Sequence, residues 1–351
     1  MALDLTDIPP CVLCLGAGDA TGGGGLASDI LTLASMGCHP LPVQTAVLLR
    51  DTRNVDEVWA VDADVVVAQA RAVLEDIPVA AIKLGFCGSV ENVAAIAEVL
   101  SDYPDLPLVI EPALYAGGDL GEVGDEIADV LADLVLPQAT LVVVGRHELC
   151  RLAGVAEHDE DDDEDEDEDD EEREEGDGGR ENDGEDEGED RDAAAERHEG
   201  VEGEGEDDDA FGAGSADVVE ALGQLFARGT EFVLLTGGGE HRPQVVNSLL
   251  DPEGLVRTDA WPRLPGRFLG AGGTLAGAVA AGLAHGMAMP EAVREAQEFT
   301  QQALLASFRP GMGLAIPDRF FWARGEQDGE GGEESEASES QERVGENHDR
   351  H

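Results

Sequence analysis

The chain has 351 residues and a formal net charge of −57, with 78 acidic side chains against 21 basic ones. So negative a surface argues against nucleic acid and anionic membranes as partners, because both would repel it. The sequence has no run of 18 apolar residues, and its opening MALDLTDIPP has no basic segment. We therefore expect no membrane span and no signal peptide, and a cytoplasmic location.

Along the chain, apolar runs alternate with helical patterns. Strands are predicted at 11–18, 43–49, 80–86, 106–112, 140–145 and 231–238, and helices at 26–36, 62–74, 90–100, 126–136 and 217–228. An edge hairpin is predicted over 244–261, with helices at 274–285 and 290–307 after it. Continuous Val, Ile and Leu strands between helices predict an α/β fold, with a mostly parallel sheet covered by helices on both faces.

Two segments hold more than half of the acidic residues. Residues 157–209 contain 34 acidic and 4 basic side chains, and residues 325–351 contain 10 and 2. Both have very few apolar residues and cannot bury enough surface to fold. We predict a disordered acidic insertion at 157–209 and a disordered acidic tail at 325–351. Residues 1–156 and 210–324 would then form a single domain.

The segment GAGGTLAGAVAAGLA at 270–284 is a glycine-rich turn that runs into a helix of small residues. Such a turn directs free backbone N–H groups and the positive end of the helix dipole at one place, which predicts an anion site. Two other phosphate-binding patterns do not fit. The sole lysine is not in a Gly-Lys-Ser/Thr turn, and GAGDATGGGG (16–25) has its third glycine one place late for a dinucleotide fold.

Several segments together point to one family. The stretch GAGDATGGGGLASDILTLASMGCHPLPVQTAVLLRDT (16–52) resembles the opening of hydroxymethylpyrimidine and phosphomethylpyrimidine kinases, which are ribokinase-like proteins. AAIKLGFCGS (80–89) is similar to their V-K-I-G-M-L segment, and residues 245–287 to the segment ending in G-[TS]-G-C-T-L. Residues 291–313 and the IPDRFFWAR tail continue the resemblance. It implies a ribokinase-like three-layer sandwich and a possible homodimer.

The resemblance also implies a reaction and a site. The ATP γ-phosphate would pass to the hydroxymethyl group of 4-amino-5-hydroxymethyl-2-methylpyrimidine, and then to its monophosphate, with ATP and Mg²⁺ as cofactors; the product becomes the pyrimidine half of thiamine. By position, the resemblance assigns the anion hole to Gly270, Ala271, Gly272 and Gly273. It assigns the substrate site to Gly16, Asp19, Gly24, Arg50 and Phe86. It assigns ATP or phosphate contacts to Lys83, Thr236, Gly237 and Thr274, and a metal contact through water to Glu148.

Five positions depart from the family pattern. Gly273 stands where relatives have the cysteine or aspartate that takes the hydroxyl proton, and Arg50 where they have the glutamine that meets the pyrimidine. Gly145 replaces the asparagine of N-x-x-E, Phe86 replaces the methionine of K-I-G-M, and Glu111 replaces the aspartate of V-x-D-P. Three readings stay open: a working kinase, a pseudoenzyme that binds pyrimidine or nucleotide in a regulatory role, and a kinase for another substrate.

The missing base predicts a substrate bias. The free pyrimidine attacks with an alcohol, whose proton must leave during transfer. The monophosphate attacks with an oxygen that is already anionic at pH 7, because the second phosphate pKa is about 6. Gly273 should therefore slow the first reaction more than the second. Arg50 would add to this bias by pairing with the extra phosphate.

The acidic surface predicts that folding requires salt. Outside the two acidic segments, about 270 residues hold 34 acidic and 15 basic side chains, and Lys83 is the only lysine of the chain. This balance is typical of adaptation to high salt; the alternative is an ordinary acidic protein with two unusual segments. We expect the melting temperature to fall on dilution from molar salt to 0.01 M, where the Debye length grows to about 30 Å. Full cooperative stability in dilute buffer would contradict the prediction.

Overall fold

A computed structural model describes residues 8–114, 121–156, 215–238 and 243–324. The predicted insertion at 157–209 and tail at 325–351 lie outside the described residues. No helix within these ranges is both long enough and apolar enough to cross a membrane.

The described residues form nine strands and nine α-helices. The strands are β1 (Cys11–Asp19), β2 (His39–Arg50), β3 (Val55–Ala60), β4 (Val79–Leu84), β5 (Leu108–Ile110), β6 (Leu141–Gly145), β7 (Phe232–Gly238), β8 (Gln244–Asp251) and β9 (Gly254–Pro262). The helices are α1 (Gly25–Ser35), α2 (Ala63–Asp76), α3 (Val90–Ser101), α4 (Gly121–Leu134), α5 (Arg146–Ala153), α6 (Ala216–Arg228), α7 (Ala271–Ala284), α8 (Met289–Leu305) and α9 (Phe321–Arg324).

All nine described strands belong to one sheet in the order β3-β2-β1-β4-β5-β6-β7-β8-β9. Strands β1, β2 and β4 to β7 are parallel, whereas β3, β8 and β9 are antiparallel to their neighbours. The predicted mostly parallel sheet is therefore confirmed. The order reverses at β1, which pairs with both β2 and β4, and ligands of open α/β sheets bind in the crevice beyond the carboxyl ends at such a point.

Helices cover both faces of the sheet, which makes three layers. Alternate strand residues such as Leu15 and Leu84 face α2 to α6, and the residues between them, such as Cys14 and Ala81, face α1, α7 and α8. Helix α7 consists largely of small residues, so it packs closely against the centre of the sheet. The N-terminus of α7 lies at the carboxyl ends of the strands.

Three of these strands and helices are absent from the sequence-based prediction: β3, α5 and the four-residue α9. Strand β3 pairs antiparallel with β2 at the sheet edge, and most of its side chains are exposed. An edge strand of this kind lacks the continuous apolar run that marks a buried one. Helix α5 has only eight residues and begins directly where β6 ends, so it has little helical period to detect. The predicted 244–261 hairpin is confirmed as β8 and β9.

Candidate active site

The N-terminus of α7 carries the glycine-rich turn Gly270–Gly273, here called the anion turn. Gly270 has a φ of 81°, a left-handed conformation that glycine adopts far more readily than other residues. It also lies tightly against the β1–α1 loop, because an added Cβ would overlap the carbonyl oxygen of Gly23. The first N–H groups of a helix have no partners within it, so this turn is suited to hold an anion.

A first cavity of about 370 Å³ lies on one side of the anion turn, at the carboxyl ends of the central strands. Its lining brings together most of the predicted site residues: Gly16, Asp19, Gly24, Arg50, Lys83, Phe86, Glu148 and all four residues of the anion turn. Residues from five separate stretches of the sequence thus meet in one place.

A second cavity of about 280 Å³ lies on the other side of the anion turn. Thr236 and Gly237 line it at the end of β7, together with Trp261 of β9. Phe268, Ala271 and Gly272 line both cavities. The two cavities therefore meet at the anion turn, where a group passed from one to the other would lie.

Asp19 at the end of β1 organises the loop that follows it. Its Oδ1 accepts hydrogen bonds from the N–H and hydroxyl of Thr21 at 2.8 and 2.6 Å, and its Oδ2 accepts one from the N–H of Gly24 at 3.1 Å. The Arg50 Nη1 lies 3.7 Å from Oδ2, and both side chains are buried. Asp19 and Arg50, both predicted to bind substrate, thus neutralise each other at the cavity wall.

Three charged groups form a buried cluster beneath the cavity. The Lys83 Nζ lies 3.0 Å from Asp29 Oδ1 and 3.4 Å from Glu111 Oε2. Burial alone would lower the pKa of Lys83, but the two carboxylates outweigh it and hold that pKa above its ordinary value. The contact of Lys83 with ATP or phosphate stays a prediction; Lys83 lines the first cavity, whereas Thr236 and Gly237 line the second.

Glu148 lies in the first turn of α5 and also lines the first cavity. Its Oε1 accepts a hydrogen bond from the N–H of Leu114 at 3.0 Å. Burial, with added repulsion from Glu111, raises the pKa of Glu148 to about 7. The group is therefore partly protonated near neutral pH unless a cation approaches it.

Thr274 is predicted to contact phosphate, but its hydroxyl lies beneath the anion turn instead of facing a cavity. It donates a hydrogen bond to the Gly270 carbonyl at 2.7 Å and accepts one from Arg319 Nε at 3.0 Å. Its side chain is fully buried. These contacts make the Thr274 hydroxyl a support of the turn, and its phosphate contact stays a prediction.

Arg319 is the main site residue that the sequence-based analysis misses. It is 2% exposed, and its Nη2 donates to the Gly23 carbonyl at 2.7 Å and to the Ser28 hydroxyl at 2.8 Å. With its bond to Thr274, it ties the β1–α1 loop to the anion turn and places a positive charge behind both. Burial lowers the pKa of Arg319 to about 10, so the guanidinium stays charged at neutral pH.

The family model described as phosphomethylpyrimidine kinase matches residues 19–173 and 212–317. A hydroxymethylpyrimidine/phosphomethylpyrimidine kinase of Streptomyces coelicolor is 29% identical over 321 residues, which cover 91% of this chain and 97% of the relative.

Two solved structures show the same fold. The first is a Bacillus subtilis pyridoxal kinase in complex with ADP, which has a TM-score of 0.67 and 22% identity over 90% of this chain and 99% of the other. The second is a Clostridium difficile phosphomethylpyrimidine kinase, with a TM-score of 0.58 and 21% identity over 84% and 99%. Arg319 lies just beyond the stretch that the family model matches.

Proposed function

The chain belongs to the phosphomethylpyrimidine kinase family and has a ribokinase-like fold, and from this premise we propose an ATP-dependent transfer of phosphate. The acceptor is 4-amino-5-hydroxymethyl-2-methylpyrimidine, its monophosphate, or both, in the synthesis of thiamine diphosphate. The observation that carries the proposal is the meeting of two cavities at the anion turn. An acceptor on one side and a nucleotide on the other would face each other across the backbone N–H groups of that turn.

The pyrimidine is assigned to the first cavity. Gly16 and Gly24 leave room for a flat ring, Phe86 offers an apolar surface at the end of β4, and Asp19 with Arg50 supplies polar atoms at the wall. The hydroxymethyl oxygen, or the phosphate on it, would then point at the anion turn. Charge that develops on the transferred phosphoryl group is stabilised there by N–H groups already in position.

The nucleotide is assigned to the second cavity. Thr236 and Gly237 at the end of β7 would lie near its phosphates, and the apolar side chains of Trp261 and Leu304 would pack on the base. The Bacillus subtilis pyridoxal kinase, which has a similar fold, is in complex with ADP, and this supports a nucleotide site in this chain as well.

The proposed metal is Mg²⁺, which prefers oxygen ligands and keeps several waters. Glu148 fits the task, because its carboxylate lines the first cavity and burial leaves its negative charge poorly compensated. It would hold the ion through a water. Bound Mg²⁺ would neutralise charge on the phosphates.

A second candidate function is a non-catalytic one. It is favoured by Gly273, which puts no ionisable side chain where the relatives have a proton acceptor. Such a protein would bind nucleotide or pyrimidine in a regulatory role. The two candidates differ in turnover, not in binding.

Release of ADP separates the two candidates. The full chain in molar KCl, given ATP and Mg²⁺, should release ADP when the free pyrimidine or its monophosphate is added. ADP release that does not rise with either pyrimidine, in a protein that still binds ADP by calorimetry, would reject the kinase and favour the non-catalytic reading.

A charge placed in the anion turn should stop this release. Ala271→Asp adds a carboxylate at the point where both cavities meet, and acidic residues are favoured in the first turn of a helix, so the fold should persist. We expect a loss of about 10²-fold or more in kcat, the scale of losing one donor to a transition-state oxyanion. Ala271→Ser is the matched control and should keep most activity. Equal rates for the two variants would exclude the turn as the phosphate site.

A further inference from the structure

The transfer to an alcohol needs a group that takes its proton, and position 273 holds none. Four carboxylates line the first cavity: Asp19, Asp29, Glu111 and Glu148. Asp19 is saturated by its own loop and by Arg50. The Asp29 side chain is completely buried against Lys83. Which of the remaining two could act depends on where their oxygens lie.

The Glu111 carboxylate lies against the anion turn. Its Oε1 is 3.1 Å from the place where a Cβ on Gly272 would be, and its Oε2 is 3.9 Å from the place of a Cβ on Gly273. Glu148 has no comparable approach to these glycines and accepts the N–H of Leu114. Glu111 is therefore the carboxylate that occupies the space next to the missing side chain.

The glycines at 272 and 273 serve to leave this space. Gly270 needs glycine for its positive φ, but Gly272 and Gly273 have ordinary helical conformations. Glycine in a helix costs about 1 kcal/mol relative to alanine, although less at its ends. A side chain at Gly273 would press on the Ser28 hydroxyl, 3.3 Å from its Cβ, and would approach Glu111. Glu111, whose side chain is longer than the aspartate of the family pattern, thus extends into the space that Gly272 and Gly273 leave free.

The state of Glu111 suits proton uptake. Its Oε2 lies 3.4 Å from Lys83 Nζ, but Lys83 is closer to Asp29, so one cation serves two carboxylates. Within the described part of the chain, Oε1 accepts no hydrogen bond, and the side chain is 18% exposed toward the cavity. Burial raises the pKa of Glu111, and Lys83 offsets only part of that rise. A carboxylate that is more basic than usual is a better general base.

We propose that Glu111 is the catalytic base for the free alcohol, taking the place of the residue that is missing at 273. The proposal rests on the proposed function. The O–H bond of the hydroxymethyl group breaks and its proton passes to Glu111 Oε1. The alcohol oxygen bonds to the γ-phosphorus, the bond from that phosphorus to the bridging oxygen breaks, and ADP leaves. The acid then returns the proton to water.

This assignment contradicts the substrate bias expected from the sequence. With Glu111 as the base, the alcohol can lose its proton despite Gly273, so we do not expect Gly273 to slow phosphorylation of the free pyrimidine strongly. The monophosphate attacks with an oxygen that has a pKa of about 6 and is ionised at pH 7, so it gains little from Glu111. A comparison of the two substrates therefore distinguishes two roles for Glu111. Loss of a catalytic base would slow only the alcohol reaction, whereas loss of a group that only shapes the cavity would slow both.

The test is Glu111→Gln in the full chain, assayed with each substrate in molar KCl. Glutamine keeps the shape and leaves Lys83 paired one to one with Asp29, so the fold should hold. We expect the kcat with the free pyrimidine to fall by about 10²-fold or more, and the rate with the monophosphate to change by less than about threefold. ADP affinity and melting temperature should stay as in the parent. Glu98→Gln, on the exposed face of α3, is the matched control.

A second variant tests the complementarity of positions 111 and 273. Adding Gly273→Cys to Glu111→Gln should restore the alcohol reaction selectively, because the thiol would lie where relatives have their base. An equal fall with both substrates, or no fall with the alcohol, would overturn the role of Glu111 while leaving the kinase intact. A parent protein inactive with both substrates would reject the proposed function and this assignment together.

Discussion

Replacing Gly270 by alanine should destabilise the protein by about 2–5 kcal/mol, because two costs add. The residue has a φ of 81°, which an L side chain adopts only with strain. In addition, the new Cβ would overlap the Gly23 carbonyl oxygen and lie 2.9 Å from Arg319 Nη2. The β1–α1 loop and the anion turn would be pushed apart, so phosphoryl transfer should be lost together with stability.

The matched control lies at the other end of the same helix. Gly286 has a φ of 83°, but no described atom lies within 4 Å of an added Cβ there. Gly286→Ala should therefore cost only the backbone strain of about 1–2 kcal/mol. Urea unfolding in molar KCl measures both variants. Equal losses at the two positions would show that the contact between the anion turn and the β1–α1 loop does not contribute to stability.

Replacing Lys83 by methionine should be about as damaging, with a loss of about 3–5 kcal/mol, because it leaves buried carboxylates without their cation. The Asp29 side chain is fully buried and the Lys83 side chain is 1% exposed, so water cannot replace the missing partner. Adding Asp29→Asn to Lys83→Met should recover much of the loss. Arg71→Met, which breaks an ion pair with Asp102 whose side chains are 38% and 53% exposed, should change stability little.

The loss in Lys83→Met should also depend on pH. Burial raises the pKa values of Asp29 and Glu111, and without Lys83 that rise is opposed only at Asp29, by the charge of Arg319. The folded variant then binds protons that the unfolded chain releases above about pH 4. Its free energy of unfolding should therefore increase as the pH is lowered from 8 to 5. A loss that is the same at both pH values would show that the carboxylates stay ionised in the folded variant, so that their pKa values are not raised.

The strands of the sheet could be predicted from the sequence where burial requires a continuous run of apolar residues. The apolar run at 140–145 becomes β6, since a strand covered on both faces consists almost entirely of apolar residues. Strand β3 has no such run, because Asp56, Glu57 and Trp59 point to solvent at the sheet edge. The same physical cause thus explains the success at the centre and the failure at the edge.

The candidate site was predictable as a set of positions but not as a set of contacts. The glycine turn has a local pattern, and strand ends of a parallel sheet meet at one edge, so Gly270 and Asp19 could be placed near each other. The partners of Lys83 and Arg319 could not. Lys83 meets Asp29 across 54 residues, and Arg319 meets Gly23 across 296. Contacts at such separations leave no local pattern in a single sequence.

The buried position of Lys83 has a chemical consequence. It is the only lysine of the chain, and its side chain is 1% exposed beneath the first cavity. The folded protein therefore offers no lysine amine to acylating or cross-linking reagents at its surface. An amine-reactive dye would reach Lys83 only when the first cavity opens or the domain unfolds. The rate of labelling at Lys83 would therefore measure how often this part of the first cavity opens.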